Sequence, residues 1–365
     1  MADRLSHPVF ALLALLAIAA WSVPLHAQAD LPRAFGHFPS DTGVVFAWDL
    51  TAQENPRSAL SLITIGDVRQ QLAQSDPDLL AIDPDEPVGT ASEVAGRLML
   101  ADGDFSAAVH SAAMALTATS FDPPDGDDYV VLLGDFTQRE AGEALQRAAG
   151  RAGANGGTTF SFPQGTDGTR VHASAPEDGV LLISTRADWL EQAPGLASGR
   201  QGLMASDSQF VNAAMSLGGR WPDAMLYVSG ALIQEGFRQT PPEARGLIGP
   251  FAQSRGLILA TYPADKLRFE LHSAFDNPQQ ANLASQFLTQ SLSMAQMFLQ
   301  SGIQQAQDPE EREMLQELSR ALNEDVRITT SRNSALLRLE IERPDPETVR
   351  EAMEGMLQAP FQPAF

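Results

Sequence analysis

Four histidines follow residue 29: His37, His110, His172 and His272. Imidazole moves protons near neutral pH and ligates transition metals, so these are the first residues to test for chemistry. No two are close enough in sequence to share a ligand motif such as His-Glu-x-x-His. Neither a Gly-x-Ser-x-Gly elbow nor a Ser-x-x-Lys segment offers an activated serine. A Ser-His-Asp triad drawn from distant segments would have to use His110, His172 or His272. Carboxylates are more plentiful. Asp122-Pro123-Pro124-Asp125-Gly126-Asp127-Asp128 gathers oxygens around a turn-forming glycine, as a Ca²⁺ site would, but without the EF-hand spacing. Asp76-Pro77-Asp78 and Asp83-Pro84-Asp85-Glu86 form a second acidic region with no closing motif. Both are expected to be solvated loops. Gly150 to Gly157 is glycine-rich but follows a helical pattern, and a helix C-terminus is the wrong dipole end for a phosphate. The sequence selects no catalytic residue, no cofactor and no metal ligand.

Composition narrows the function classes. The chain of 365 residues has no cysteine, 46 acidic and 24 basic side chains, and a formal net charge of −22. Disulfide frameworks, thiol nucleophiles and cysteine-ligated metals are excluded. An acidic surface repels phosphate backbones, and 7% aromatic content is thin for base stacking, so nucleic acid is not an expected partner. Hydrophobic residues reach 44%, enough to build a core without staples.

Residues 1–29 read as an address. Arg4 and His7 precede the apolar run Val9 to Ala20, and Ala27-Gln28-Ala29 supplies small residues at −3 and −1 of a cut before Asp30. The run is short of the roughly 20 apolar residues that span a bilayer. A cleaved signal peptide over 1–29, a periplasmic or secreted location and no integral membrane segment after cleavage are the expectations.

The remaining chain must position whatever it carries with strands and helices. Strands are expected at Gly43 to Leu50, Tyr129 to Leu133, Thr169 to Ala173 and Gly179 to Thr185, the last two joined through Asp178-Gly179. Helical periodicity covers Thr137 to Ala149 and restarts near Arg186 with Trp189 and Leu190. A second series follows: strands at Gly256 to Thr261 and Leu267 to His272, a helical region from Pro278 to Ser301, and a hairpin of Val326 to Thr330 with Leu336 to Ile341. Trp221 to Leu232 echoes Phe38 to Leu50, each with an aromatic, a proline, a nearby aspartate and an apolar strand. The expected architecture is α+β: two similar halves with mainly antiparallel sheets and helices packed on one face. The boundaries are 30–194 for the first half, 195–218 for a linker and connecting helix, 219–358 for the second half and 359–365 for a tail. Asp345-Pro346-Glu347 has the composition of a helix start.

One helical stretch carries more apolar surface than the rest. Leu283, Phe287, Leu288, Leu292, Ala295 and Leu299 fall at helical spacing, with Met294, Met297 and Phe298 widening the face. Met314, Leu315, Leu318 and Leu322 form a stripe on the helix after Asp308-Pro309. Packing on the second sheet is the expected fate of these stripes; an adaptable groove for apolar partners is the alternative.

In the segments Phe38 to Leu50, Gly179 to Leu190 and Ser206 to Leu232, the chain resembles exported bacterial proteins of domain-of-unknown-function type. That resemblance implies a duplicated α+β architecture and an envelope location, and it carries over no catalytic residue. The function expected is a non-enzymatic exported protein that binds a protein or another envelope component. The alternative is an exported hydrolase with a site at the interface of the two halves.

Overall fold

The computed structural model describes residues 30–62, 88–117, 127–149, 159–162, 169–198, 202–205, 208–241, 245, 249–306 and 309–343. The expected signal segment, the acidic regions at 76–86 and 122–126, the glycine-rich stretch 150–157, the helix start at 345–347 and the tail lie outside them.

Eleven strands make one antiparallel sheet in the order β10-β11-β9-β8-β7-β1-β2-β3-β6-β5-β4. In chain order they are β1 (Val44–Asp49), β2 (Val109–Leu116), β3 (Asp128–Gly134), β4 (Thr159–Ser161), β5 (His172–Glu177), β6 (Val180–Ser184), β7 (Ala224–Ser229), β8 (Gly256–Tyr262), β9 (Leu267–Ala274), β10 (Val326–Ser331) and β11 (Ser334–Ile341). β1 and β7 lie at the middle of the sheet and pair antiparallel, with Phe46 opposite Leu226. An α+β fold with a large antiparallel sheet is thus present.

Helices cover both faces of this sheet, not one. On one face, α1 (Asp30–Gly36), α5 (Ala187–Ser198) and α6 (Gln209–Ala214) pack over Val45, Ala47, Tyr129, Val131, Tyr227 and Ile258. On the other, α2 (Ala91–Ala101), α3 (Gly103–Ala108) and α4 (Gln138–Ala149) cover Val130, Leu132, Leu181 and Ile183. The reason lies in β3 and β6. Val130 to Leu133 and Val180 to Ile183 are unbroken apolar runs, and such runs belong to strands buried on both sides. A one-sided sheet would alternate, as β1 does.

The helices start where side chains close their free N–H groups. Thr90 accepts from the Glu93 N–H to open α2, Asp102 from that of Phe105 to open α3, and Ser208 from that of Val211 to open α6. Ser229, at the end of β7, does the same for α7 (Gly230–Gln239) through Leu232. The stretch expected to start the linker is helical through Ser198. Beyond it, Leu203, Phe210, Ala213 and Leu217 join the same core cluster as β1 and β7, so this connection is packed in.

Two long helices close the chain's second series. α8 (Pro278–Gln305) opens with Asn277 capping Gln280 and with proline at the first turn. α9 (Pro309–Glu324) returns alongside it to β10. The two helices meet at Gly302 and Leu315, where a Cβ on the glycine would stand 3.4 Å from the leucine side chain, an ordinary contact.

Candidate functional site

The centre of the sheet, where β1 meets β7, brings two acids together. β1 ends at Asp49, and Asp223 immediately precedes β7. The Asp49 backbone N–H donates to the Asp223 carbonyl at 2.7 Å. Asp49 Oδ1 accepts from the Thr51 N–H at 3.0 Å and from its hydroxyl at 2.6 Å, capping the 3-10 turn Leu50–Glu54. Burial, and then the charge of Asp49, push the Asp223 carboxyl up to about 6 against the opposing pull of the Ser58 hydroxyl and Arg343. A carboxyl near 6 has the acidity of a general acid or base. Yet both side chains are only 2% exposed, so no substrate in solution reaches them as they stand.

The histidines do not assemble one triad. His110, on β2, places Nε2 3.3 Å from Asp135. His172, on β5, has Nδ1 3.0 Å from the Ser161 hydroxyl, and burial followed by Arg170 lowers its pKa. His272, on β9, has Nε2 3.0 Å from Glu270. His37 is buried, its Nδ1–H donating to the Ala193 carbonyl at 3.2 Å, and burial holds its pKa down. Each of the three triad candidates is paired with an acid or a hydroxyl, on three different strands.

One charged cluster escaped the reading of the sequence. Arg268, Glu270 and His272 alternate along β9 and so share a face, and β11 sets Arg338 directly opposite Glu270. Arg338 Nε donates to Glu270 at 2.8 Å, and Arg268 donates to the same oxygen. Burial opposes ionisation of Glu270, but His272 and the two arginines overcome it and hold the carboxyl at about 2. Glu270 is 1% exposed. The Arg-x-Glu-x-His spacing was visible; the fourth member, 68 residues away, was not. This arrangement ties β9 to β11.

Of the acidic loop proposed for Ca²⁺, Asp127 and Asp128 are described. Asp128 Oδ2 accepts from the Ala91 N–H at 2.7 Å and the Ser92 N–H at 3.3 Å, so it caps α2. Asp127 pairs with Arg186 at 3.4 Å. Both carboxylates serve the fold. Among the described residues no group of three His, Asp or Glu side chains is placed to hold a metal ion.

Among the described residues, the large apolar side chains left exposed lie on α8, apart from Met215. The first turns of α8 bury Ala281 and Ala284 and lie against β10 and β11. On its outer face Leu283 is 59% exposed, Met294 40%, Met297 62% and Phe298 76%. Of the expected stripe, Phe287, Leu288, Leu292, Ala295 and Leu299 are half-buried, whereas Leu283 and the flanking Met294, Met297 and Phe298 face outward. Helix periodicity explains it: Ala281, Ala284, Leu288 and Leu292 fall on the covered face, and Leu283, Met294 and Met297 on the opposite one. Phe251 meets Phe287 edge-on at 6.0 Å, and a cleft of about 410 Å³ lies between Gly249-Pro250 and Gln280, Leu283 and Phe287. Leu283, Phe287, Gln290, Met294, Met297 and Ser301 follow one another at alternating steps of four and three, the spacing of a helix-pairing seam. No charged residue occurs from Asn277 to Gln307, in a chain of net charge −22. Among the described residues no helix is long and apolar enough to cross a membrane.

Neither a family model, a curated protein nor a solved structure matches this chain.

Proposed function

We propose that this chain is an exported, non-enzymatic protein of the bacterial envelope that works by contact, with the outer face of α8 as its docking surface. The observation that carries this reading is the set Leu283, Met294, Met297 and Phe298, exposed together on one uncharged helix. Isolated apolar side chains on a surface need no explanation, but a contiguous seam at helix-pairing spacing does. Methionine suits such a face because its flexible, polarizable side chain adapts to the surface it meets. Periplasmic residence rests on the leader-like segment 1–29.

The chain is further read as two similar halves. After β1, β2 and β3 come α4, the short edge strand β4 and the hairpin β5-β6, with β6 pairing back to β3. After β7, β8 and β9 come α8, α9 and the hairpin β10-β11, with β11 pairing back to β9. Two residues turn each hairpin, Asp178-Gly179 and Arg332-Asn333. β1 and β7 meet antiparallel, as first strands related by a local dyad would. On this reading the α8–α9 pair is what the second half adds at the place of the single helix α4, and function belongs to the addition.

The test is a photo-crosslinking residue at Met297 in the exported protein, with a control at Asn323 on α9. The expected result is a protein adduct at 297 that is missing at 323. No adduct at 297 overturns the reading.

A further inference from the structure

We infer that the partner seated on α8 is α8 of a second copy of this chain, running antiparallel; this rests on the docking role proposed above and names its occupant. The seam is self-complementary in size. Antiparallel pairing about Leu292 sets Leu283 beside Ser301 and Phe298 of the other copy, and Phe287 beside Met297, with Gln290 against Met294. The small Ser301 thus leaves room for Leu283 beside Phe298, and Met297 lies beside Phe287.

The seam is also self-complementary in polarity. Its flanks carry Gln286, Thr289, Ser293 and Gln300, and the Thr289 and Ser293 hydroxyls donate to the Ser285 and Thr289 carbonyls of their own helix while still able to accept. A carboxamide has both donors and an acceptor, so Gln286 and Gln300 on identical faces can pair with each other or donate to these hydroxyls. Charged flanks on identical faces would repel. Two molecules of charge −22 repel overall, and the uncharged surface from Asn277 to Gln307 is one that brings no like charges together. A basic partner would find no carboxylate along α8 to bind. A lipid surface fits less well, since helices that lie on membranes carry Lys or Arg on the polar face, and α8 has neither.

The absence of cysteine makes the test clean. Leu283→Cys and Ser301→Cys are introduced in separate copies of the exported protein, expressed alone and together, then oxidised. Co-expression should give a disulfide-linked dimer. Each variant alone should stay monomeric on a denaturing gel, because eighteen residues of helix separate like positions by about 27 Å. A dimer from Leu283→Cys alone overturns the antiparallel arrangement. No dimer from the mixture, with a Met297 photo-adduct to a different protein, overturns the second copy but leaves the docking role standing. No dimer and no photo-adduct overturns both.

Discussion

Asp49 and Asp223 close the middle of the sheet: the backbone N–H of one donates to the carbonyl of the other at 2.7 Å where β1 meets β7. Their carboxyls share a buried edge with Ser58 and Arg343, whose guanidinium donates to the Ser58 carbonyl at 2.8 Å and to the Ser61 hydroxyl at 3.4 Å. One oxygen of Asp223 has no hydrogen-bond partner, and the group is easier to protonate than a free aspartate.

The pH dependence of folding should show this. A carboxyl at about 6 in the folded state and 3.8 when free binds its proton more tightly folded. Its cost is absent below about pH 4 and complete above about pH 6. Asp223→Asn should therefore be more stable than the wild type at pH 8, by as much as about 3 kcal/mol, with the advantage fading towards pH 4. Urea unfolding at both pH values measures it. A constant difference between the variants would contradict the assignment.

Glu270 has the opposite sign. Its carboxyl sits at about 2 folded against 4.5 free, so its stabilisation is complete above about pH 4.5 and is lost as pH falls through 2. Glu270→Gln leaves Arg268 and Arg338 without their shared carboxylate and should cost about 3–5 kcal/mol at pH 7. In acid titrations the two proteins should converge near pH 2.

Arg332 turns the β10-β11 hairpin at φ 51, a conformation that costs a side-chain-bearing residue about 1 kcal/mol. Gly179, which turns the β5-β6 hairpin at φ 75, avoids that cost. Arg332→Gly should raise the unfolding midpoint by a few degrees. A lower midpoint would mean that the arginine side chain makes a contact worth more than the strain.

What could be read from the sequence follows from how local its cause is. β1 was legible because Val44 to Asp49 combines β-branched and aromatic residues after a turn. The Asp178-Gly179 hairpin was legible from two residues. β2 was not foreseen: His110 to Leu116 is mostly alanine and serine, with no strand propensity of its own, and it is a strand because β1 and β3 flank it. α2 and α3 were missed for a related reason, since their hydrophobic faces are short and their starts depend on Thr90 and Asp102, with Asp128 reaching in from β3. The charged cluster depends on a register that brings Arg338 to Glu270, which no local pattern encodes. The stripe on α8 was seen, but the outward-facing set Leu283, Met294, Met297 and Phe298 was not, because the helix is apolar on more than one face and packing decides which face is covered.

The most direct test of the account is the molar mass of the exported protein by sedimentation equilibrium, beside the double variant Met297→Glu, Phe298→Glu. Both positions are exposed, so the variant should keep its circular dichroism and melting temperature. The account predicts twice the chain mass for the wild type and the single chain mass for the variant at the same micromolar concentration. A wild type that sediments as a monomer, or a variant that remains a dimer, would contradict the second copy of α8 as the occupant of this face.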